Sequence, residues 1–177
     1  MRLYIVRHGE TVNNQLGLVQ GSSESELSEN GINEAKKLHD LVSKLDIDVV
    51  ISSPLKRAID TAKLITNNKH EIIIDERLRE RHYGTGEGKP VEPELTIKYW
   101  DFNLNTGINE VEKLHDLLSR VSDFIEDIRF KYPDKNVLVV AHSAILRAIH
   151  YCLNGIPEDG DLLKIEIPNL RIIEYDI

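Results

Sequence analysis

Leu3-Tyr4-Ile5-Val6-Arg7-His8-Gly9-Glu10-Thr11 decides the fold. It begins as an apolar, β-branched run and stops abruptly at Arg-His-Gly. Such a run predicts a buried strand that carries two basic side chains to its C-terminal end, where a glycine lets the chain turn. In open α/β sheets ligands bind outside the carboxyl ends of the strands. Arg7 and His8 therefore mark a site suited to an anion.

A second stretch mirrors the first. Val139-Val140-Ala141-His142-Ser143 is again a buried strand ending at a histidine between small residues. If the two strands are neighbours, His8 and His142 face each other across a crevice. Val49-Val50-Ile51 predicts a third strand, ending at Ser52-Ser53-Pro54, with Arg57 in the first turn of the following helix and Pro54 suited to its start. Arginine matches phosphate oxygens bidentately, and helix N-termini attract anions. Two arginines, two histidines and helix N-termini together describe a phosphate pocket.

The remaining chain alternates strands and helices. Thr11 to Glu26 reads as a polar loop, and Ser28 as the N-cap of a helix with Ile32, Ala35, Leu38, Leu41, Val42 and Leu45 at helical spacing. Ile72-Ile73-Ile74 predicts another strand. From Glu76 to Gly107 there is no clean period, and Pro90 and Pro93 interrupt it; long irregular segments in compact domains are usually functional. A long helix is expected from Asn109, a shorter one from Ala144 to Leu153, and a hairpin of Leu162–Ile167 and Leu170–Tyr175 about Pro168-Asn169. The alternation predicts an α/β fold: a three-layer sandwich, mostly parallel, with helices on both faces. The 177 residues are read as one domain, 1–177, with a lid-like insertion at about 76–108.

Composition narrows the partners. The net charge of −8 argues against nucleic acid and anionic membranes, which require a basic face. The hydrophobic fraction of 41% and charged fraction of 29% are those of a globular protein. The single cysteine, Cys152, excludes an intramolecular disulfide and sits in an apolar helical pattern, as an inert thiol would. No signal peptide or membrane span is legible, so a cytoplasmic location is expected. No spacing of His, Cys and carboxylates suggests a metal site. His39, His115 and His150 flank apolar helical faces and read as packing or surface residues, and His70 as a solvated turn. Oligomeric state is not readable.

Arg7-His8-Gly9-Glu10-Thr11, Ser53-Pro54-Leu55-Lys56-Arg57-Ala58 with Thr61-Ala62, Glu80 within Leu78-Arg79-Glu80-Arg81-His82-Tyr83-Gly84, and Ala141-His142-Ser143 resemble, in order, the motifs of the histidine phosphatase superfamily, which includes the cofactor-dependent phosphoglycerate mutases. The resemblance implies a phosphoglycerate mutase-like fold. It implies that His8 is a nucleophile that becomes phosphohistidine, that Arg7, Arg57 and His142 bind the phosphoryl group, and that Glu80 donates and accepts the proton. It also implies contacts to phosphate or substrate from Asn14, Gln20, Gly21 and Ser143, with Arg81 and Tyr83 beside them.

Physical chemistry is consistent with those roles. A nucleophilic imidazole must be neutral, and two adjacent arginines lower its proton affinity. A phosphate charge ~4 Å from Glu80 is worth about 4 kcal/mol at an effective dielectric of ~20, roughly three pKa units. The arginines oppose that effect, so the sequence leaves the sign of the Glu80 shift open. Glu76 and Glu87 are alternative carboxylates in the same segment.

Tyr99-Trp100-Asp101-Phe102 lacks the paired arginines with which mutases grip the second acidic group of the substrate. The expected activity is therefore a metal-independent phosphomonoesterase acting on a small phosphorylated metabolite, similar to the α-ribazole phosphatases, with no cofactor. A mutase, primed by 2,3-bisphosphoglycerate, is the alternative. A non-catalytic phospho-ligand module on the same fold would be signalled by loss of Arg7, His8, Arg57 or His142, and all four are present.

Overall fold

The computed structural model describes all 177 residues. Its five-stranded sheet runs β3-β2-β4-β1-β5, with β1 Arg2–Arg7, β2 Val49–Ser52, β3 Ile72–Ile74, β4 Asn136–Ala141 and β5 Ile172–Asp176. All pairings are parallel except β1 with β5. β1 and β4 are central and nearly uniformly apolar, as strands covered on both faces must be. Leu3, Ile5, Val137 and Val139 point to one face, and Tyr4, Val6, Leu138 and Val140 to the other.

Each face carries a pair of helices. On the first lie α5 (Leu114–Lys131) and α6 (Ser143–Asn154), which bury Leu117, Val121, Phe124, Ile145 and Ile149 in the larger core cluster. On the second lie α2 (Glu29–Val42) and α3 (Lys56–Ile65), which bury Ala35, Leu38, Ala58, Ala62 and Ile65. The three-layer α/β sandwich is thus as expected. Ser28 caps α2, its hydroxyl oxygen accepting from the Gly31 N–H at 3.0 Å.

The structure corrects several local expectations. The polar loop after β1 holds a short helix, α1 (Val12–Gln15), closed by a capping box between Thr11 and Asn14. Pro54 precedes α3, whose N-cap is Leu55, and so stands just outside the first turn. The segment from Lys89 to Gly107 contains α4 (Pro93–Tyr99), opened by its proline. The long helix begins at Leu114 instead of Asn109, because Asn109 and Glu110 take positive φ in a tight turn against Gly84. There, a Cβ on Gly84 would lie 1.8 Å from the Asn109 carbonyl oxygen.

No hairpin forms at the C-terminal end. Leu162–Lys164 is a 3-10 turn capped by Asp161, and the carbonyls of Leu162 and Ile165 accept from Arg147. With those groups bound to an arginine, only β5 joins the sheet, antiparallel to β1. His70 is not a solvated turn, since its Nε2 lies 3.0 Å from the Ile47 carbonyl in a half-buried setting.

Candidate active site

Parallel register brings the two histidines level. Arg7 pairs with Ala141, so His8 and His142 both leave the sheet at its carboxyl edge, their ring centroids 5.1 Å apart. β2 ends beside them, with the Ser53 N–H donating to the Val140 carbonyl at 3.0 Å. The site therefore lies where three parallel strands stop.

His8 is 2% exposed. Its Nδ1 lies 2.7 Å from the Gly9 carbonyl oxygen. A carbonyl can only accept, so Nδ1 carries the proton and Nε2 keeps its lone pair. Burial, then the charges of Arg57 and Arg7, hold the His8 pKa well below its ordinary value, against the Gly9 hydrogen bond. The His8 loop is fixed from three sides. The Gly9 N–H donates to Thr61 Oγ1 at 3.0 Å, Asn169 Nδ2 donates to the His8 carbonyl at 2.6 Å, and the start of α2 packs against Glu10. A Cβ on Gly31 would stand 2.1 Å from the Glu10 carbonyl oxygen.

His142 is fully buried, with Nε2 2.6 Å from Ser53 Oγ and no protein partner at Nδ1. Its pKa is likewise well below the ordinary value, through burial and then the nearby His8, Arg57 and Arg7. The arginines are held by backbone. Arg57 Nη1 donates to the Ser23 carbonyl at 2.6 Å and Nη2 to the Gly21 carbonyl at 2.7 Å. Arg7 Nη1 donates to the Ile167 carbonyl at 2.8 Å. The Nε of each is buried without a partner. Two unfilled buried donor positions on the cavity wall, at Arg7 and Arg57, with a third on His142 beside His8, form the pattern of an anion site, because buried polar groups are otherwise paired.

Glu80 is 9% exposed. Its carboxylate accepts from the Arg81 N–H at 2.9 Å and from the Ala144 N–H, in the first turn of α6, at 3.4 Å. Burial raises its pKa, and the two N–H groups and both arginines only partly oppose this. The sign left open by the sequence is thus positive.

A cavity of about 210 Å³ is lined by Arg7, His8, Asn14, Gln20, Gly21, Arg57, Glu80 and Tyr83. Leu18, Val19, Val91, Thr96 and Trp100 complete its outer wall. Leu18 and Val19 are backbone-paired to Lys89 and Pro90, so this wall is preformed. Asn14 Oδ1 and Gln20 Oε1 are already engaged with Thr11. Three expected residues stand outside the lining: His142, whose ring lies 5.1 Å from that of His8, Arg81 and Ser143. Arg81 is fully buried and donates to the Glu112 and Tyr99 carbonyls, its guanidinium over Trp100 and Tyr83. Ser143 opens α6, but the helix donor that reaches the site belongs to Ala144. Sequence reading missed Asn169 and the Ile167 carbonyl, since a C-terminal strap meeting β1 leaves no local periodicity. It also missed the outer wall, whose apolar residues carry no chemical signature.

The profile of the histidine phosphatase superfamily, branch 1, matches residues 3–177. The chain belongs to the histidine phosphatase superfamily. It is 35% identical over 181 residues to the putative phosphoserine phosphatase 2 of Hydrogenobacter thermophilus, covering 98% of this chain and 88% of that one. It is 34% identical to the metal-independent phosphoserine phosphatase of Arabidopsis thaliana, over 93% of this chain and 74% of the relative. A putative α-ribazole-5'-P phosphatase of Escherichia coli superposes with a TM-score of 0.85 at 28% identity, over 100% of this chain and 91% of that one. This histidine phosphatase is accordingly a phosphatase enzyme with a phosphoglycerate mutase-like fold. No helix is long and apolar enough to cross a membrane.

Proposed function

We propose that the enzyme is a metal-independent phosphomonoesterase that hydrolyses a small phosphorylated metabolite through a phosphohistidine at His8. The observation that carries this reading is the buried His8 ring, with its proton committed to the Gly9 carbonyl and Nε2 free beside two fixed arginines.

His8 Nε2 attacks phosphorus in line with the ester oxygen. The P–O bond breaks, and the departing alkoxide takes the proton of Glu80. A water then gives its proton to Glu80 as it attacks phosphorus, the P–N bond breaks, and inorganic phosphate leaves. Splitting the displacement in two lowers each barrier. Charge spread over the phosphoryl oxygens is met by Arg7, Arg57 and His142, which are held before substrate arrives. With Ser53 donating to Nε2 of His142, Nδ1–H is free to donate to a phosphoryl oxygen. The positive charge comes from side chains, so phosphate release is expected in EDTA.

A phosphatase is favoured over a mutase because the outer wall carries no cation for a second acidic group of the substrate. The phosphoserine and α-ribazole phosphate in the names of the relatives are the first two substrates to try. Purified enzyme is expected to release phosphate from p-nitrophenyl phosphate, and His8→Ala to lower kcat by about 1000-fold or more. Unchanged turnover in that variant would sink the mechanism. Rapid interconversion of 3-phosphoglycerate and its isomer with added 2,3-bisphosphoglycerate, without net phosphate release, would establish the mutase instead.

A further inference from the structure

Glu87 is a carboxylate that the chemistry above does not use, yet five donors converge on it. Oε1 accepts from the Ser22 N–H at 2.9 Å, Ser22 Oγ at 3.2 Å and the Tyr83 N–H at 3.0 Å, and His82 Nδ1 lies 2.9 Å away. Oε2 accepts from the Ser23 N–H at 3.1 Å. The side chain is 14% exposed. Burial alone pushes its pKa up, but the hydrogen bonds from Tyr83, Ser22 and His82 outweigh this and hold it below the usual carboxylate range. Glu87 is therefore ionised at neutral pH and unsuited to donate a proton, unlike Glu80.

The donors come from two segments, and each segment carries one half of the site. Gly21 and Ser23 present the carbonyls that hold Arg57. Residues 80–83 carry Glu80 and Tyr83 to the cavity. Gly21 has a φ of +54°, and a Cβ there would lie 2.1 Å from Glu87 Oε1, so the loop is shaped to the carboxylate. The Lys56 N–H binds Glu24 on the other side of the same loop, but that contact does not touch residues 80–83.

We propose that Glu87 is a positioning residue that fixes the spacing between the phosphate-binding Arg57 and the proton donor Glu80, by tying the 20–23 loop to the 80–83 segment. The proposal rests on the phosphomonoesterase reading. Its ionised carboxylate is needed because an amide has one acceptor where two are used. In Glu87→Gln the amide nitrogen would face either the Ser23 N–H or the donors of Ser22 and Tyr83, and one segment would be released.

The test compares wild type, Glu87→Gln, Ser22→Ala and the exposed control Glu94→Gln, with circular dichroism as the check on folding. Glu87→Gln is expected to lower kcat/KM for p-nitrophenyl phosphate about tenfold or more and to raise the inhibition constant of inorganic phosphate several-fold. With an alkyl phosphate, whose leaving group takes the Glu80 proton, the basic limb of its pH–rate profile should move to higher pH, because Arg57 lowers the proton affinity of Glu80 and a receding Arg57 would relax that effect. Ser22→Ala, which removes a single donor, should shift the same quantities in the same direction by about twofold. Glu94→Gln should change none of them. A kcat/KM for Glu87→Gln within twofold of wild type overturns the proposal. So does activity lost only in proportion to folded protein, with the basic limb and phosphate inhibition unmoved. If Glu87→Gln does not fold, unchanged limb and inhibition in Ser22→Ala decide against it. A wild-type enzyme that releases no phosphate would be a failure of the phosphomonoesterase reading, which is a different result.

Discussion

At the scale of single residues, the proposed mechanism depends on two groups shifted in opposite senses. His8 must be unprotonated, and its lowered pKa keeps it so into acidic solution. Glu80 must be protonated, and its raised pKa keeps the proton above the ordinary carboxylate range. Rate therefore falls as pH drops through the His8 value and as pH rises through the Glu80 value, giving a bell-shaped profile. A kcat/KM profile over ~pH 4–9 checks this. Glu80→Gln should abolish the basic limb and lower kcat for an alkyl phosphate by about 10²–10⁴-fold. It should cost much less with p-nitrophenyl phosphate, whose leaving group needs no proton. Arg57→Lys replaces a planar fork spanning two carbonyls with one ammonium, and should lower kcat/KM by about 10²-fold with the fold intact. Arg7, His8, Arg57 and His142 were legible because each sits beside a strand end that the apolar runs mark. Arg81 was misplaced, because a charged residue in an aperiodic segment gives no sign of which way it faces.

At the scale of elements, helices and strands followed apolar periodicity wherever one side of an element meets the sheet. The α2 cap could be located to the residue because Ser28 precedes a clean helical stripe. Ser28→Ala should cost about 1 kcal/mol and lower Tm by roughly 2–4 °C in a chain of this size, measured by thermal unfolding. Gly31→Ala is expected to be worse and to impair turnover as well, because its Cβ would press on the Glu10 carbonyl close to His8. The elements that went astray are those whose ends are set by distant partners. α5 starts late because Asn109 turns against Gly84. The 162–165 segment stays out of the sheet because Arg147 claims the Leu162 and Ile165 carbonyls. Neither partner is adjacent in sequence, so neither effect has a local signal.

For the whole molecule, the burial of two neutral imidazoles links stability to pH. His8 and His142 have folded pKa values well below 6.5, whereas the unfolded chain takes up protons near 6.5. The unfolded state then binds more protons below that pH, and stability falls as pH falls, by up to about 1.4 kcal/mol per unit for each site. Glu80 acts in the opposite sense, since its raised folded pKa favours the native state in acid. Urea unfolding at two pH values on either side of 6.5 should show the decline, and His142→Gln should make it shallower. The three layers and mostly parallel sheet were legible from the strand–helix alternation. The strand order was only conditionally so, since nothing local states that β1 lies beside β4.

That same strand order dictates when the site can exist. β1 is among the first residues of the chain, yet its two neighbours are β4 and β5, near the other end. It has no nearby partner to pair with, so it must wait through most of the polypeptide before its hydrogen bonds are made. Residues 8 and 142 are consequently expected to meet late in assembly, and phosphatase activity during refolding should appear with the slowest phase, after the helices have formed.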